Sequence, residues 1–321
     1  MKHKVIFCGT PNIALEILKG LEQIDVEIVG VITQPDKLVG RKQVLTYSPV
    51  KEYALTKNYK VIQPVKIKDA FEEIQSLKAD FLVTCAFGQF IPDSILNLFK
   101  NAINVHGSIL PKYRGGSPIQ YSILNGDTKT GISLMKMIKK MDAGEVYVIE
   151  EIEISDEDDS GTLFEKMATL GKNMIVKHLK NILDEKIKGQ QQDETKVTFA
   201  YNLSNEQEEI DWTKSNVEII NFIRALSPSP IAFTFLDNER IKIKKARLIK
   251  EDENFIMVLK IFQPGEIINL DKEGIIVQCG QGILKILELQ REGKKMVSAG
   301  AFNFPNSPFF TGAFFGLKKG S

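Results

Sequence analysis

At 321 residues the chain is long for one core and comfortable for two, so two domains are expected. Charged residues make up 26% and hydrophobic residues 43%, the proportions of a soluble globular protein. A formal net charge of +1 leaves no global field to draw in a polyanion, so any nucleic-acid contact must use local patches. The three cysteines, Cys8, Cys85 and Cys279, are odd in number and far apart, which fits reduced thiols in the cytosol better than a disulfide framework or a zinc site.

Along the chain, MKHKVIFCGTPNIALEIL places basic residues before apolar ones. Gly9, Pro11, Asn12 and Glu16 interrupt it too early for a signal sequence or a membrane span, and we expect a cytoplasmic protein. Short β-branched runs then alternate with helical periods: KVIFCG, IALEILKGL, VEIVGVIT, a helix near residues 49–57, DFLVTCAF and AINVHG. That alternation predicts parallel βαβ units with helices on both faces of a sheet. The runs VIFC, IVGVI and FLVTC carry few polar residues, as central strands buried on both sides do. From Thr130, GISLMKMIKKMDAGEVYVIEEIEI reads as two strands joined through a MDAGE turn. A helix capped near Asp159 and Ser160 follows, running through LFEKMATLGKNMIVKHLKNIL. Residues 189–205 are polar and weakly periodic and read as a linker. Beyond a helix near Val217 to Leu226, the short strands AFTFL, IKIKKARLI, GEIINL, GIIVQC and GILKILELQ predict a small open barrel. The expected division is 1–188, a linker at 189–205, and 206–321.

Open parallel sheets bind ligands beyond the carboxyl ends of their strands, and INVHGSILPKYRGGSPIQ puts Asn104 and His106 at such an end. A two-residue period points both side chains to one face, where an amide and an imidazole can meet one ligand atom. The bland alternative is a hydrogen-bonded structural histidine beside a turn-forming asparagine. Asp142 in MDAGE is either a carboxylate that orients the histidine or a turn residue bonded to its own backbone. His3 is terminal, and His178 lies mid-helix between lysines, where it reads as a solvated residue. No HExxH, CxxC or carboxylate cluster of ligand spacing is present, and no metal is expected. FCGTPNIA lacks the second and third glycines of a dinucleotide cradle. CAFGQFIP lets backbone approach a flat ligand or is a plain strand-to-helix turn. Residues 34–49, with Lys37, Arg41 and Lys42 and no apolar period, are either a solvated loop or a mobile basic loop that closes on an anion. In the last third, Arg240, Lys242, Lys244, Lys245, Arg247 and Lys250 follow one another with no acidic residue between them. Strand alternation splits the run over two faces unless a bend or bulge near Lys244 unites it.

NVHGSILPKYRGGSPIQ with GDTKTGISLMKMIKKMDAGEV closely resembles the active-site region of the methionyl-tRNA formyltransferase family and its folate-dependent relatives. The resemblance extends through FCGTPNIA, TQPDKLVGRKQ, CAFGQFIP, IDW, RALSPSPIAF, PGEI and LELQREGKKMVSAGAF. It implies a doubly wound, mostly parallel, Rossmann-like α/β domain followed by an OB-like β-barrel domain. By the resemblance, the catalytic residues are Asn104, His106 and Asp142. Folate contacts fall on Ser108, Ile109, Leu110 and Pro111, with Phe87, Gly88 and Gln89. The family's tRNA-reaching loop falls on residues 34–48 with Arg41 at the matching arginine; Lys37 and Lys42 beside it, and Arg240, Lys242, Lys245 and Arg247 of the basic run in the barrel, are the other expected tRNA contacts. The co-substrate is 10-formyltetrahydrofolate, the partners are initiator methionyl-tRNA and tetrahydrofolate, and a monomer without a membrane contact is expected. Two departures stand out: Ser229 and Lys244 occupy positions where the family often has Trp. A formyltransferase for a small amine, or a non-catalytic RNA-binding module, are the alternatives; the second domain and basic loop would be surplus to the first, and the aligned Asn, His and Asp coincidental in the second.

Overall fold

The computed structural model describes residues 2–40, 43–249 and 262–316; Arg41, Lys42 and Lys250 lie outside them. The chain divides into two compact units whose segments alternate along the sequence. Met1–Pro118, Lys129–Glu153 and Leu163–Asn202 form the first, and Ile119–Thr128, Ile154–Thr162 and Leu203–Ser321 form the second.

In chain order the elements begin β1 (His3–Gly9), α1 (Asn12–Leu21), β2 (Val26–Ile32), β3 (Lys37–Val39), β4 (Val44–Thr46), α2 (Pro49–Thr56) and β5 (Val61–Ile62). They continue α3 (Phe71–Ser76), β6 (Phe81–Cys85), α4 (Asp93–Leu96), β7 (Asn101–His106), α5 (Pro118–Leu124), β8 (Lys129–Lys136) and β9 (Val146–Glu153). The helix α6 (Ser160–Met174) passes through a π-helical turn at Ile175–Leu179 into α7 (Lys180–Leu183).

The first unit is built on a seven-stranded sheet of order β5-β2-β1-β6-β7-β8-β9. The strands from β5 to β7 run parallel, and β8 and β9 are antiparallel additions at one edge. β1 and β6 are central because they can be: Val5 to Cys8 and all of β6 are buried, leaving no polar side chain except Thr84. Strand order reverses between β1 and β6, opening the crevice at their carboxyl ends. Gly9 sits at that reversal, where an added Cβ would lie 2.6 Å from Ala14 Cβ and 2.9 Å from the Cys85 carbonyl oxygen. The glycine of FCGTP therefore serves close packing of turn against strand. Ser48 caps α2 by accepting from Lys51 N–H at 3.1 Å, with Pro49 opening the helix.

Two expectations change here. His178 is not solvated: its Nε2 lies 2.8 Å from Glu150 Oε1 on β9, and its side chain is 17% exposed. A partner on another element, far along the chain, left no local signal. The polar stretch after residue 189 is tied to the first unit as far as Asn202. Val146 and Gln190 exchange two backbone bonds of 2.9 Å, Arg114 N–H donates to Thr198 O at 2.9 Å, and Ala200 N–H donates to Arg114 O at 2.8 Å.

The second unit holds α8 (Asn216–Leu226), whose Ser215 and Glu218 form a reciprocal capping box. It also holds β10 (Phe233–Leu236), β11 (Glu239–Leu248), β12 (Ile267–Leu270), β13 (Ile275–Gln278), β14 (Ile283–Arg291) and β15 (Val297–Ser298). They form an antiparallel sheet of order β10-β11-β14-β13-β12, with β15 on β14, as expected of a barrel-like domain. Ile219, Ile223 and Leu226 of α8 share one core with Ile241, Ile243, Ile275, Leu284 and Leu289. Trp212 of IDW belongs to that core; its indole N–H donates to Thr234 Oγ1 at 3.0 Å and its ring stacks on Phe315.

Candidate active site

The last residues of β7 and the loop after β8 meet. Asn104 Nδ2 lies 3.4 Å from Asp142 Oδ1, and His106 Nδ1 lies 3.6 Å from Asp142 Oδ2. Thr84, the polar exception in β6, is the register partner of Asn104, and its hydroxyl donates to Asn104 Oδ1 at 2.8 Å. With its oxygen held there, the Asn104 amide turns its N–H groups toward Asp142 and retains one hydrogen for a ligand. His106 is 5% exposed, and its Nε2 donates to Tyr113 O at 2.9 Å, since a carbonyl can only accept. The ring's other nitrogen therefore faces the carboxylate, and a proton there makes an ion pair. The sequence suggested that Asn104 and His106 donate to one ligand atom. Both nitrogens of His106 are turned to protein groups, whereas the Asn104 amide keeps one hydrogen without a partner among the described residues.

Asp142 is held in the left-handed region at φ +47°. Its Oδ2 accepts from Gly115 N–H at 2.9 Å, and Gln192 Nε2 donates to both Asp142 O and Gly144 O at 2.8 Å. Gln192 Oε1 in turn accepts from Arg114 Nε and Nη2 at 3.1 and 2.9 Å. The Arg114 side chain is fully buried and reaches Glu194 at 2.7 Å, which Lys140 also contacts at 2.7 Å. Arg114, Gly115 and Gln192 carry no signal as site residues in a walk along the chain. The one usable hint was Thr84, a lone hydroxyl in an otherwise apolar strand.

The guanidinium of Arg114, followed by Lys140, lowers the Glu194 carboxyl from an ordinary 4.5 to about 2. A depressed carboxylate contributes stability that is present above its unfolded value and lost as pH falls through its folded one. Glu194→Gln is therefore expected to flatten the fall in urea midpoint between pH 4.5 and about 2. Parallel curves for the two proteins would show that this pair contributes no acid sensitivity.

The stretch Ser108 to Pro111 lines the turn beyond His106. Ser108 is buried, with its hydroxyl donating to Lys112 O and its carbonyl accepting from Ser133 Oγ at 2.7 Å. Leu110 is buried with its N–H on Ser133 Oγ at 3.1 Å, whereas Ile109 and Pro111 are half-buried. Across the crevice the Phe87 ring belongs to the core, and Phe87 O accepts from Thr10 Oγ1 and Gln34 Nε2 at 3.2 and 2.9 Å. Gln89 braces loops, accepting from Ile67 N–H at 2.8 Å and donating to Pro64 O at 3.0 Å. Gly88, exposed at φ +84°, is the member of this trio that offers open backbone.

The basic elements differ from their one-dimensional reading. Within residues 34–49, expected as a loop with no apolar period, β3 and β4 pair antiparallel, with Leu38, Val39, Val44 and Leu45 exposed and Lys37 opposite Thr46. Arg41 and Lys42 lie outside the described residues. On β11 the register against β14 slips between Ile243 and Lys245 and again before Ala246, a bulge at the place the charge run required. Yet the run is matched by acids: Arg240 with Glu208 at 3.6 Å, Lys244 with Glu288 at 2.9 Å, and Arg247 with Glu273 at 2.8 Å. Arg240 also lies over the Phe233 ring, and Lys242 donates to Pro230 O. Lys242 and Lys245 remain without a carboxylate partner among the described residues. Lys244, at a position where Trp was expected, is thus satisfied by its ion pair, and Ser229 is exposed.

Among the described residues no cluster of side chains could hold a metal ion, and no helix is long and apolar enough to cross a membrane. The sequence matches the family model described as "Formyl transferase" over residues 1–179, and its C-terminal domain over residues 202–304. It is 51% identical over 300 residues to a methionyl-tRNA formyltransferase of Mycoplasma capricolum, covering 93% of each chain. It is 43% identical over 298 residues to one from Streptococcus pyogenes, covering 92% of this chain and 93% of that one. In fold it is similar to an N-formyltransferase from Helicobacter canadensis in complex with folinic acid and dTDP-3-aminofucose. That match has a TM-score of 0.66 at 21% identity, covering 89% of this chain and 99% of that one.

Proposed function

We propose, for a chain that belongs to the formyl transferase family, that the end of β7 is where a formyl group passes from 10-formyltetrahydrofolate to the α-amino group of methionine on initiator tRNA. The product is N-formylmethionyl-tRNA, for translation initiation. The observation that carries the reading is the convergence of Asn104 and His106 on Asp142 at a strand end, in a chain 51% identical to a methionyl-tRNA formyltransferase. The residues fit a folate co-substrate: Gly88 leaves open backbone on one side of the crevice, and the Asn104 amide keeps a donor on the other.

The folate supplies the formyl group as an activated amide, so no covalent attachment to the chain is needed. As the amine attacks, negative charge builds on the formyl oxygen, and Asn104 Nδ2 donates to it. Thr84 holds the amide in that sense beforehand, so little reorganisation is needed at the moment of reaction. Asp142, whose Oδ2 is fixed by Gly115 N–H, takes up the proton that the amine must lose. His106 Nδ1 stands beside that carboxylate and shares the proton as an ion pair until the formyl carbon–nitrogen bond to the folate breaks. The departing nitrogen then takes the proton up, so that tetrahydrofolate leaves as a neutral amine.

The second unit and the paired strands β3 and β4, with Lys37 and with Arg41 and Lys42 between the two strands in the sequence, serve the RNA. The enzyme works in the cytoplasm as a monomer, its three cysteines buried and free. Lys242 and Lys245, with Arg240 and Arg247 partly offset by their acids, neutralise backbone phosphates. Replacing Lys242 and Lys245 together by alanine is expected to lower the slope of log affinity against log salt by about 1.5, at about 0.7 to 0.9 per phosphate. A slope unchanged in a tRNA-binding salt series would remove β11 as the RNA platform.

The reaction is tested by supplying 10-formyltetrahydrofolate with methionyl initiator tRNA or with free small amines. Turnover with the charged tRNA alone is expected. Turnover with an amino sugar nucleotide and none with the tRNA would replace this reading by that of a small-molecule formyltransferase.

A further inference from the structure

We infer that Gln192, seated on Arg114, is the positioning residue for Asp142, so that a segment which reads in sequence as a polar linker sets the geometry of the proton acceptor. The inference rests on the role given to Asp142 above.

The MDAG loop needs external support. Asp142 occupies the left-handed region, which a non-glycine residue holds only where its surroundings over-determine it. Next to it, Gly144 lies so close to β8 that an added Cβ would stand 1.9 Å from Lys136 O. Gln192 supplies support at both places, because its Nε2 spends its two hydrogens on Asp142 O and Gly144 O. Its Oε1 spends its two lone pairs on Arg114 Nε and Nη2. The orientation of this amide is unambiguous, since an arginine can only donate and a backbone carbonyl can only accept.

Arg114 completes a closed arrangement. Its own backbone is paired with Thr198 and Ala200, and its guanidinium is anchored by Glu194. The next amide in the chain, Gly115 N–H, reaches the Asp142 carboxylate directly. Asp142 is thus held at its carboxylate by Gly115, the residue after the buried Arg114, and at its carbonyl by Gln192, whose side chain rests on the Arg114 guanidinium. Gln192 touches no reacting atom and acts only through the place it gives Asp142. A displacement of about 1 Å in such a group costs on the order of a hundredfold in rate.

The discriminating variant is Gln192→Glu. It keeps an acceptor for Arg114, and as a carboxylate it strengthens that contact, but it presents oxygen instead of N–H to two backbone carbonyls. Gln192→Met, of similar length and without hydrogen bonds, is the second variant should the first disturb folding. Thermal midpoint, kcat, and KM for the folate and the tRNA are measured for each, alone and combined with Asp142→Ala. The expected result is a modestly lowered thermal midpoint for Gln192→Glu, well above the assay temperature, with kcat lower by about ten- to a hundredfold and both KM values within about twofold. In the Asp142→Ala background neither variant should lower kcat further. A parental kcat in both variants while Asp142→Ala is inactive would overturn the positioning role and leave the reading of Asp142 intact. So would an equal loss in the presence and absence of Asp142. Parental turnover by Asp142→Ala itself would overturn the reading of Asp142, and the inference with it.

Discussion

Replacing Asn104 by alanine is expected to lower kcat by about 10² to 10³, or about 2.7 to 4 kcal/mol of transition-state stabilisation. Among the described residues the amide keeps one of its two hydrogens unspent at the end of β7: Thr84 holds its oxygen, and Asp142 takes the other hydrogen at 3.4 Å. His106 cannot substitute for it while its Nε2 is bound to Tyr113 O. Because the charge on the formyl oxygen develops in the transition state, the loss falls on kcat, with KM for either substrate little changed. Thr84→Val keeps the amide but frees its orientation, and about a tenfold loss is expected. The check is steady-state kinetics at saturating folate and tRNA. Turnover by Asn104→Ala within a few fold of the parent would mean that the formyl oxygen is stabilised elsewhere.

Gly115→Ala is expected to lose both stability and activity. Gly115 sits at φ +126°, a conformation closed to side chains, and an added Cβ would lie 2.5 Å from the Ala200 carbonyl oxygen. Backbone strain and clash together cost on the order of 3 kcal/mol or more. Relief requires the turn to move away from Ala200, which withdraws the Gly115 N–H from Asp142 Oδ2, now 2.9 Å away. A fall of at least tenfold in kcat should therefore accompany the drop in thermal midpoint. Gly293→Ala is the internal control: Gly293 has φ +69° but nothing within 4 Å of the added atom. Strain alone should cost about 1 to 2 kcal/mol there, without effect on turnover. Equal stability losses at the two positions would mean that the Ala200 contact yields easily, and the reasoning for Gly115 would fail.

The bulge in β11 illustrates a middle case between local and long-range information. Six cations without an intervening acid could be seen in one dimension, and period-two alternation required a slip near Lys244 to unite them, which the register against β14 contains. The acids that offset them were out of view. Glu208, Glu273 and Glu288 stand 32, 26 and 44 residues from Arg240, Arg247 and Lys244, and nothing in a strand's own pattern specifies which distant side chain will stand opposite it.

The amino-acid sequence by itself determined the parts that obey a short period. Apolar runs defined the strands of the doubly wound sheet, and a helix was expected near Val217 to Leu226, where α8 runs. The two-residue spacing of Asn104 and His106 put both where Asp142 could meet them. These follow from backbone geometry, which repeats every 2 or 3.6 residues and needs only neighbours to be read. Only the tertiary structure decided which groups complete the site. Thr84 reaches Asn104 because β6 and β7 pair in one register, and Gln192 reaches Asp142 because the 190–202 segment lies along Arg114. Their contacts are 20 and 50 residues apart in the chain. They exist because buried donors and acceptors must be paired when the chain folds back on itself, a condition that acts on positions in space and leaves no period in the sequence.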